Sequence, residues 1–253
     1  MILCLCVIVV ISVFYYRATE TRQAGGIAKA PGAKASGAPD VVIPDATLII
    51  ADAESNKDKL LELSNISKTN DLSNAVFIGN SSLDGLDIYG FIKEADFFYR
   101  IGLTVRTVFT QSTPYGTVPI MDELNGRLYD KVFLMFGQNE LGWDYTDIFI
   151  EEYGKVVDAV KQRMPGAVIY ILSLPPVSAA ASAKNANGVN EKRIEEYNLR
   201  LSELAKAKDI TWLDASDALE DERGYLPSDA SSDGIHLNKT YSGKWAEAIR
   251  LKQ

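Results

Sequence analysis

Histidine and cysteine are nearly missing from this chain, and their scarcity excludes several chemistries. His236 is the single histidine in 253 residues, so a zinc site of two or three histidines is impossible. The two cysteines, Cys4 and Cys6, both fall in the first apolar stretch. The rest of the chain therefore has no disulfide, no thiolate metal site and no cysteine nucleophile. Positive charge is also short. The net charge is -8 and no Lys/Arg-rich run appears, which argues against a nucleic-acid partner, since phosphate binding needs clustered cations. What remains is an ordinary globular balance, 47% apolar and 24% charged. The length suits one domain with an appendage.

The appendage is at the start. Residues 2–16 (ILCLCVIVVISVFYY) carry no charge. A comfortable bilayer span takes roughly 20 apolar residues, so residues 1–17 read as either the apolar core of a signal peptide or a short membrane anchor. Residues 18–40 are rich in Ala, Gly and Lys, with Pro31 and Pro39. Little there can enter a core, which predicts a flexible linker with a reach on the order of 25 Å. The remainder, 41–253, is the expected folded domain. Its first part, 40–70, holds an apolar stretch suited to an extended piece and a stretch suited to a short helix.

From Asn74 onward, short apolar runs alternate with helical periods. Ala75–Ile78, Lys131–Phe136, Ala167–Leu174 and Ile210–Leu213 read as strands buried on both faces, with Leu103–Phe109 as a weaker fifth. Val156, Val157, Val160 and Met164, then Ile194, Tyr197, Leu201 and Leu204, then Tyr241, Trp245 and Ile249, recur at helical spacing. Such alternation predicts an α/β fold, a central parallel sheet covered on both faces. Sites in these folds lie beyond the carboxyl ends of the strands.

Three segments stand at such positions. Gly79-Asn80-Ser81 follows the first strand. A serine in a tight strand-to-helix turn exposes its hydroxyl and can aim its own N–H at a substrate oxygen, though the same pattern suits a helix N-cap. Gly137-Gln138-Asn139-Glu140 follows the second. The Asn139 amide can donate to a developing oxyanion, or the segment is simply a turn. Asp233-Gly234-Ile235-His236 lies near the end. There the carboxylate can fix the tautomer of the imidazole three residues on, leaving its other nitrogen as a base. Trp143 and Tyr145 suit either an aromatic floor under a sugar ring or packing on the adjacent helix. Pro175 and Pro176 end the third strand and are candidates for lining the cleft.

Together these segments resemble the SGNH hydrolases, the GDSL esterase/lipase family. The Gly-Asp-Ser block matches Gly79-Asn80-Ser81, and the isolated Gly block matches Gly102, here placed before the nearest strand candidate. Gly-x-Asn-Asp matches Gly137 to Glu140, and Asp-x-x-His matches Asp233 to His236. FGQNELGWDY and LPSDASSDGIHL resemble extracytoplasmic members of Gram-positive bacteria. The resemblance implies a three-layer α/β/α sandwich of flavodoxin-like type. It implies Ser81 as nucleophile, His236 as base and Asp233 as its orienting acid. The oxyanion hole would comprise the N–H groups of Ser81 and Gly102 with the Asn139 amide, and no metal or cofactor is needed. Asn80 and Glu140 depart from the aspartates usual at their positions, and losing a charge at Asn80 bears on how the turn is held.

The function expected is a serine esterase acting on short acyl, above all acetyl, esters of cell-surface carbohydrate. The domain would be anchored to the membrane and extracytoplasmic, or secreted. An O-acyltransferase would use the same acyl-enzyme and differ only in what attacks it. A non-catalytic carbohydrate-binding module on the same fold is the alternative of another class.

Overall fold

The computed structural model describes residues 70–253. The apolar segment 2–16, the linker 18–40 and the 40–69 stretch lie outside the described residues. Among the described residues no helix is long and apolar enough to cross a membrane.

Five strands form one sheet: β1 Ala75–Gly79, β2 Asp96–Tyr99, β3 Lys131–Met135, β4 Val168–Leu172 and β5 Thr211–Leu213. Their order is β2-β1-β3-β4-β5 and every pair is parallel. The central strands β1 and β3 are buried at every position, as their continuous apolar runs require. Phe97, Phe77, Phe133 and Tyr170 stand in register across four strands. Their rings stack at 5.0, 4.4 and 4.6 Å between centroids. This ladder fixes the register on one face, because a one-residue slip would turn each ring to the other.

The helices are α1 Asp84–Ile88, α2 Thr146–Arg163, α3 Ala179–Lys184, α4 Glu191–Ala207 and α5 Lys239–Lys252. In α2 the buried residues Phe149, Tyr153, Val156, Val157 and Val160 make one stripe at spacings of three and four. Asn190 caps α4 and Asn238 caps α5, each accepting from a backbone N–H three residues on. Helix α1 packs with α5, and α2 with α4. The chain moves one way from β1 to β2 and the other way from β3 through β5. Right-handed crossovers in opposite directions place α1 and α2 on opposite faces, which yields the three-layer α/β/α arrangement. The order reverses between β1 and β3, and sites in such folds lie beyond the carboxyl ends of the strands at that point.

Leu103–Phe109 is not a strand, and its last three residues form a 3₁₀ turn at Thr107–Phe109. Thr104 N–H donates to the Thr107 hydroxyl at 2.9 Å, and Thr107 N–H donates to the Thr104 hydroxyl at 3.2 Å. These reciprocal side-chain bonds satisfy the backbone locally and displace a ladder. The fifth strand is β2, Asp96–Tyr99, an edge strand of mixed exposure that is too short to stand out. Gly102 consequently follows a strand, as the family block requires.

Candidate active site

Ser81 owes its position to Gly79. A Cβ on Gly79 would lie 2.2 Å from the Met135 carbonyl oxygen, so only glycine lets β1 and β3 close at their carboxyl ends. Asn80 is fully buried. Its N–H donates to Met135 O at 3.2 Å. Its side-chain oxygen accepts from Ser82 N–H at 2.9 Å, capping the 3₁₀ turn Ser81–Leu83. The turn is held by a neutral cap and does not need the charge of an aspartate. The other half of that amide, Nδ2, has no partner among the described residues.

The Asp-His segment enters from the opposite end of the chain. Gly234 has φ 82°, and a Cβ there would lie 2.3 Å from the Ser178 hydroxyl. Its carbonyl accepts from Ser178 N–H at 2.8 Å, which docks the loop beyond β4. His236 Nε2 then lies 3.1 Å from Ser81 Oγ, and His236 Nδ1 lies 2.7 Å from Asp233 Oδ2. The other carboxylate oxygen, Oδ1, accepts from the backbone N–H groups of Ile235 and His236 and from the Ser231 hydroxyl, at 2.9, 2.8 and 2.9 Å. Partial burial works to raise the Asp233 pKa. The bonds from the His236 ring, the two N–H groups and Ser231 outweigh it and hold the carboxyl well below the usual range. Asp233 thus stays ionised and holds a proton on Nδ1. An imidazole so held presents Nε2 as an acceptor to the serine hydroxyl.

Gly102 lies in the turn after β2 with φ 76°, a conformation that favours glycine. Asn139 is exposed beyond β3. Its amide donates to Leu103 O at 2.8 Å, so it is tied to the Gly102 turn with one amide hydrogen still to offer. Glu140 is fully buried. It accepts from Val105 N–H at 2.8 Å and from Gly137 N–H at 3.0 Å. Burial pushes its pKa up to about 7 against the pull of these bonds.

Trp143 packs edge-on against Phe149 of α2, with its ring covered by Arg106 at 4.9 Å. Tyr145 is 68% exposed. Neither lines the cavity beside Ser81 and His236, which has a volume of about 110 Å³. Its apolar wall is Ile88, Tyr89, Pro175, Ile235 and Leu237. Of the two prolines, Pro175 thus faces the cleft as well as ending the strand.

Ser231, Gly234 and, apart from Pro175, the cavity wall had no place in the sequence expectations. The SSDG stretch carries a signal for the first two, because Ser and Asp side chains followed by Gly often bond backbone N–H groups two residues on. Ile88 and Tyr89 carry none, since their place in the site depends on α1 folding back beside β1.

A parallel α/β sheet with a Ser–His–Asp line at its carboxyl edge defines a hydrolase class. Within it, the sequence model described as GDSL-like Lipase/Acylhydrolase family matches residues 102–240, and the chain belongs to that family. Gly102, Asn139, Asp233 and His236 fall inside the match. Ser81 precedes it and is brought to His236 by the fold. No curated protein matches the chain in sequence. Among solved structures, a protein of Streptococcus pneumonia provisionally assigned as a platelet activating factor superposes with a TM-score of 0.58 at 19% identity. That match covers 81% of this chain and 96% of the other. A GDSL-like lipase of Bacteroides thetaiotaomicron gives 0.52 at 13%, covering 78% and 93%. A catalytic mutant of an acetylxylan esterase of Geobacillus stearothermophilus gives 0.53 at 14%, covering 70% and 92%. At these identities the likeness is one of fold.

Proposed function

We propose that this acylhydrolase is a serine esterase that removes short acyl groups, acetyl foremost, from carbohydrate. The observation that carries the reading is the continuous contact from Ser81 Oγ through the His236 ring to Asp233. Ser81 Oγ attacks the ester carbonyl while Nε2 takes its proton. The oxyanion is met by the N–H groups of Ser81 and Gly102 and the free amide hydrogen of Asn139. Collapse expels the alcohol, which takes the proton from Nε2. Water then attacks the acyl-enzyme and gives a proton to the same nitrogen; the bond from the acyl carbon to Ser81 Oγ breaks, Oγ takes that proton back, and the acid leaves. His236 and Asp233 have half-exposed side chains, which leaves the acyl-enzyme open to water.

The small cavity supports a short acyl group, and the acetylxylan esterase among the structural neighbours supports an acetylated carbohydrate. The apolar segment 2–16 and the linker behind it support a domain tethered outside the membrane. The test is hydrolysis of p-nitrophenyl acetate and release of acetate from acetylated polysaccharide by the full chain, beside Ser81→Ala. Turnover lost in the variant supports the reading. Equal rates in the two proteins overturn it.

A further inference from the structure

We infer that Glu140 is the positioning residue of the oxyanion site, its buried carboxylate tying the loop that carries Gly102 to the loop that carries Asn139. The inference rests on the esterase reading, in which those two residues stabilise the oxyanion. Oε1 accepts from Val105 N–H at 2.8 Å, three residues after Gly102. Oε2 accepts from Gly137 N–H at 3.0 Å, two residues before Asn139. Both loops have left the sheet at these points, so no ladder bond sets the distance between them. The carboxylate sets it instead.

Glu140 is itself held fast. Its N–H donates to Gly137 O at 3.0 Å, its carbonyl accepts from the Tyr197 hydroxyl at 2.6 Å, and none of it is exposed. Once ionised, above its raised pKa of about 7, the carboxylate suits the place because it accepts at both oxygens and donates at neither. Glutamine has the same shape but would turn an NH₂ toward one of the two backbone donors, leaving that N–H buried and unpaired. Asn139 donating to Leu103 O is a second stitch across the same gap, so a shift of one loop reaches both donors. Oxyanion donors act only within about 2.7–3.1 Å of the developing charge, and a misplacement of roughly 1 Å can cost about 100-fold.

The experiment is steady-state hydrolysis of p-nitrophenyl acetate by the full chain carrying Glu140→Gln, with rates expressed per site labelled by a serine-directed phosphonate. Expected is a fall in kcat of about 10- to 100-fold with KM within about threefold. The double variant Glu140→Gln/Asn139→Ala should lose less than the product of the two single losses, because Glu140 acts in part through that amide. Wild-type kcat per labelled site, or effects that simply multiply, overturns the inference. If Glu140→Gln does not fold, Glu140→Asp carries the test. It keeps the charge one methylene short, so an intermediate kcat supports positioning and a wild-type kcat refutes it. Wild-type protein without Ser81-dependent turnover overturns the esterase reading itself, a result separate from any behaviour of Glu140.

Discussion

Asp233 grips His236 twice: Oδ2 lies 2.7 Å from the ring nitrogen Nδ1, and Oδ1 accepts the backbone N–H of the same residue at 2.8 Å. The second bond, with those from Ile235 N–H and Ser231, decides what Asp233→Asn would do. The position of Oδ1 must remain an oxygen, because three donors point at it. The new NH₂ must then face Nδ1, which can only accept from it. The ring proton moves to Nε2, and Nε2 can no longer take the proton of Ser81. We expect kcat for p-nitrophenyl acetate to fall roughly 10³- to 10⁴-fold with the fold intact. A variant within tenfold of wild type would show that Asp233 does not govern the tautomer.

Asn139→Ala removes the side-chain donor of the proposed oxyanion hole and, with it, the bond to Leu103 O. The expected loss is about 10²- to 10³-fold in kcat, with a much smaller change in KM, because the donor acts on charge present only in the transition state. Loss confined to KM would place Asn139 in ground-state binding instead.

The proposed preference for short acyl groups rests on the cavity of about 110 Å³ beside Ser81. Across p-nitrophenyl acetate, butyrate and octanoate, kcat/KM should fall steeply beyond the short chains. Replacing Ile88, which lies on the wall and is 66% exposed, with Ala should flatten that decline. A wild-type preference for octanoate would contradict a short-acyl site.

Stability should depend on pH in two opposed ways. Burial raises Glu140 and Glu191 to about 7, so the folded state holds their protons more tightly than the unfolded chain does. Between about pH 4.5 and 7 the folded state binds the extra protons, and stability falls as pH rises, by at most roughly 1.4 kcal/mol per pH unit for each whole proton. Asp233 is held low despite its burial, and Asp221 is held low by the bonds it accepts from Arg223 and Tyr225. Their contribution is present above the ordinary aspartate pKa and is lost as pH falls below it. Urea unfolding of Ser81→Ala from pH 3 to 8 should therefore show greatest stability at mildly acidic pH. Glu191→Gln should remove part of the decline toward neutrality. Stability that climbs from pH 4.5 to 7 would rule out the raised carboxyls.

The buried runs of β1, β3 and β4 were legible because a strand covered on both faces is apolar along most of its length, Lys131 at the start of β3 being the exception. The three long helices were legible because each buries one stripe. Edge strand β2 was not, since DFFY is half solvent-facing, and a Thr-rich loop nearby imitated a strand until its hydroxyls took up the backbone bonds. Among candidate site residues, Ser81, Asn139, Asp233 and His236 stood in local motifs, because each answers a local demand such as an acid three residues from its histidine, whereas Gly102 was named only through the family resemblance. The aromatic pair Trp143 and Tyr145, neighbours of Asn139 in the chain, does not line the cavity beside Ser81.

Sequence by itself determined the alternating core, the tight turn that exposes Ser81 and the local grip of Asp233 on His236, all of which depend on residues a few positions apart. Only the tertiary structure decided that His236 meets Ser81 across 155 positions of chain, that Ile88, Tyr89 and Leu237 wall the cavity, and that Glu140 joins two loops. Those contacts depend on how parallel strands order themselves and on which loops share one edge of the sheet, a geometry set by crossover handedness and packing that no local pattern encodes.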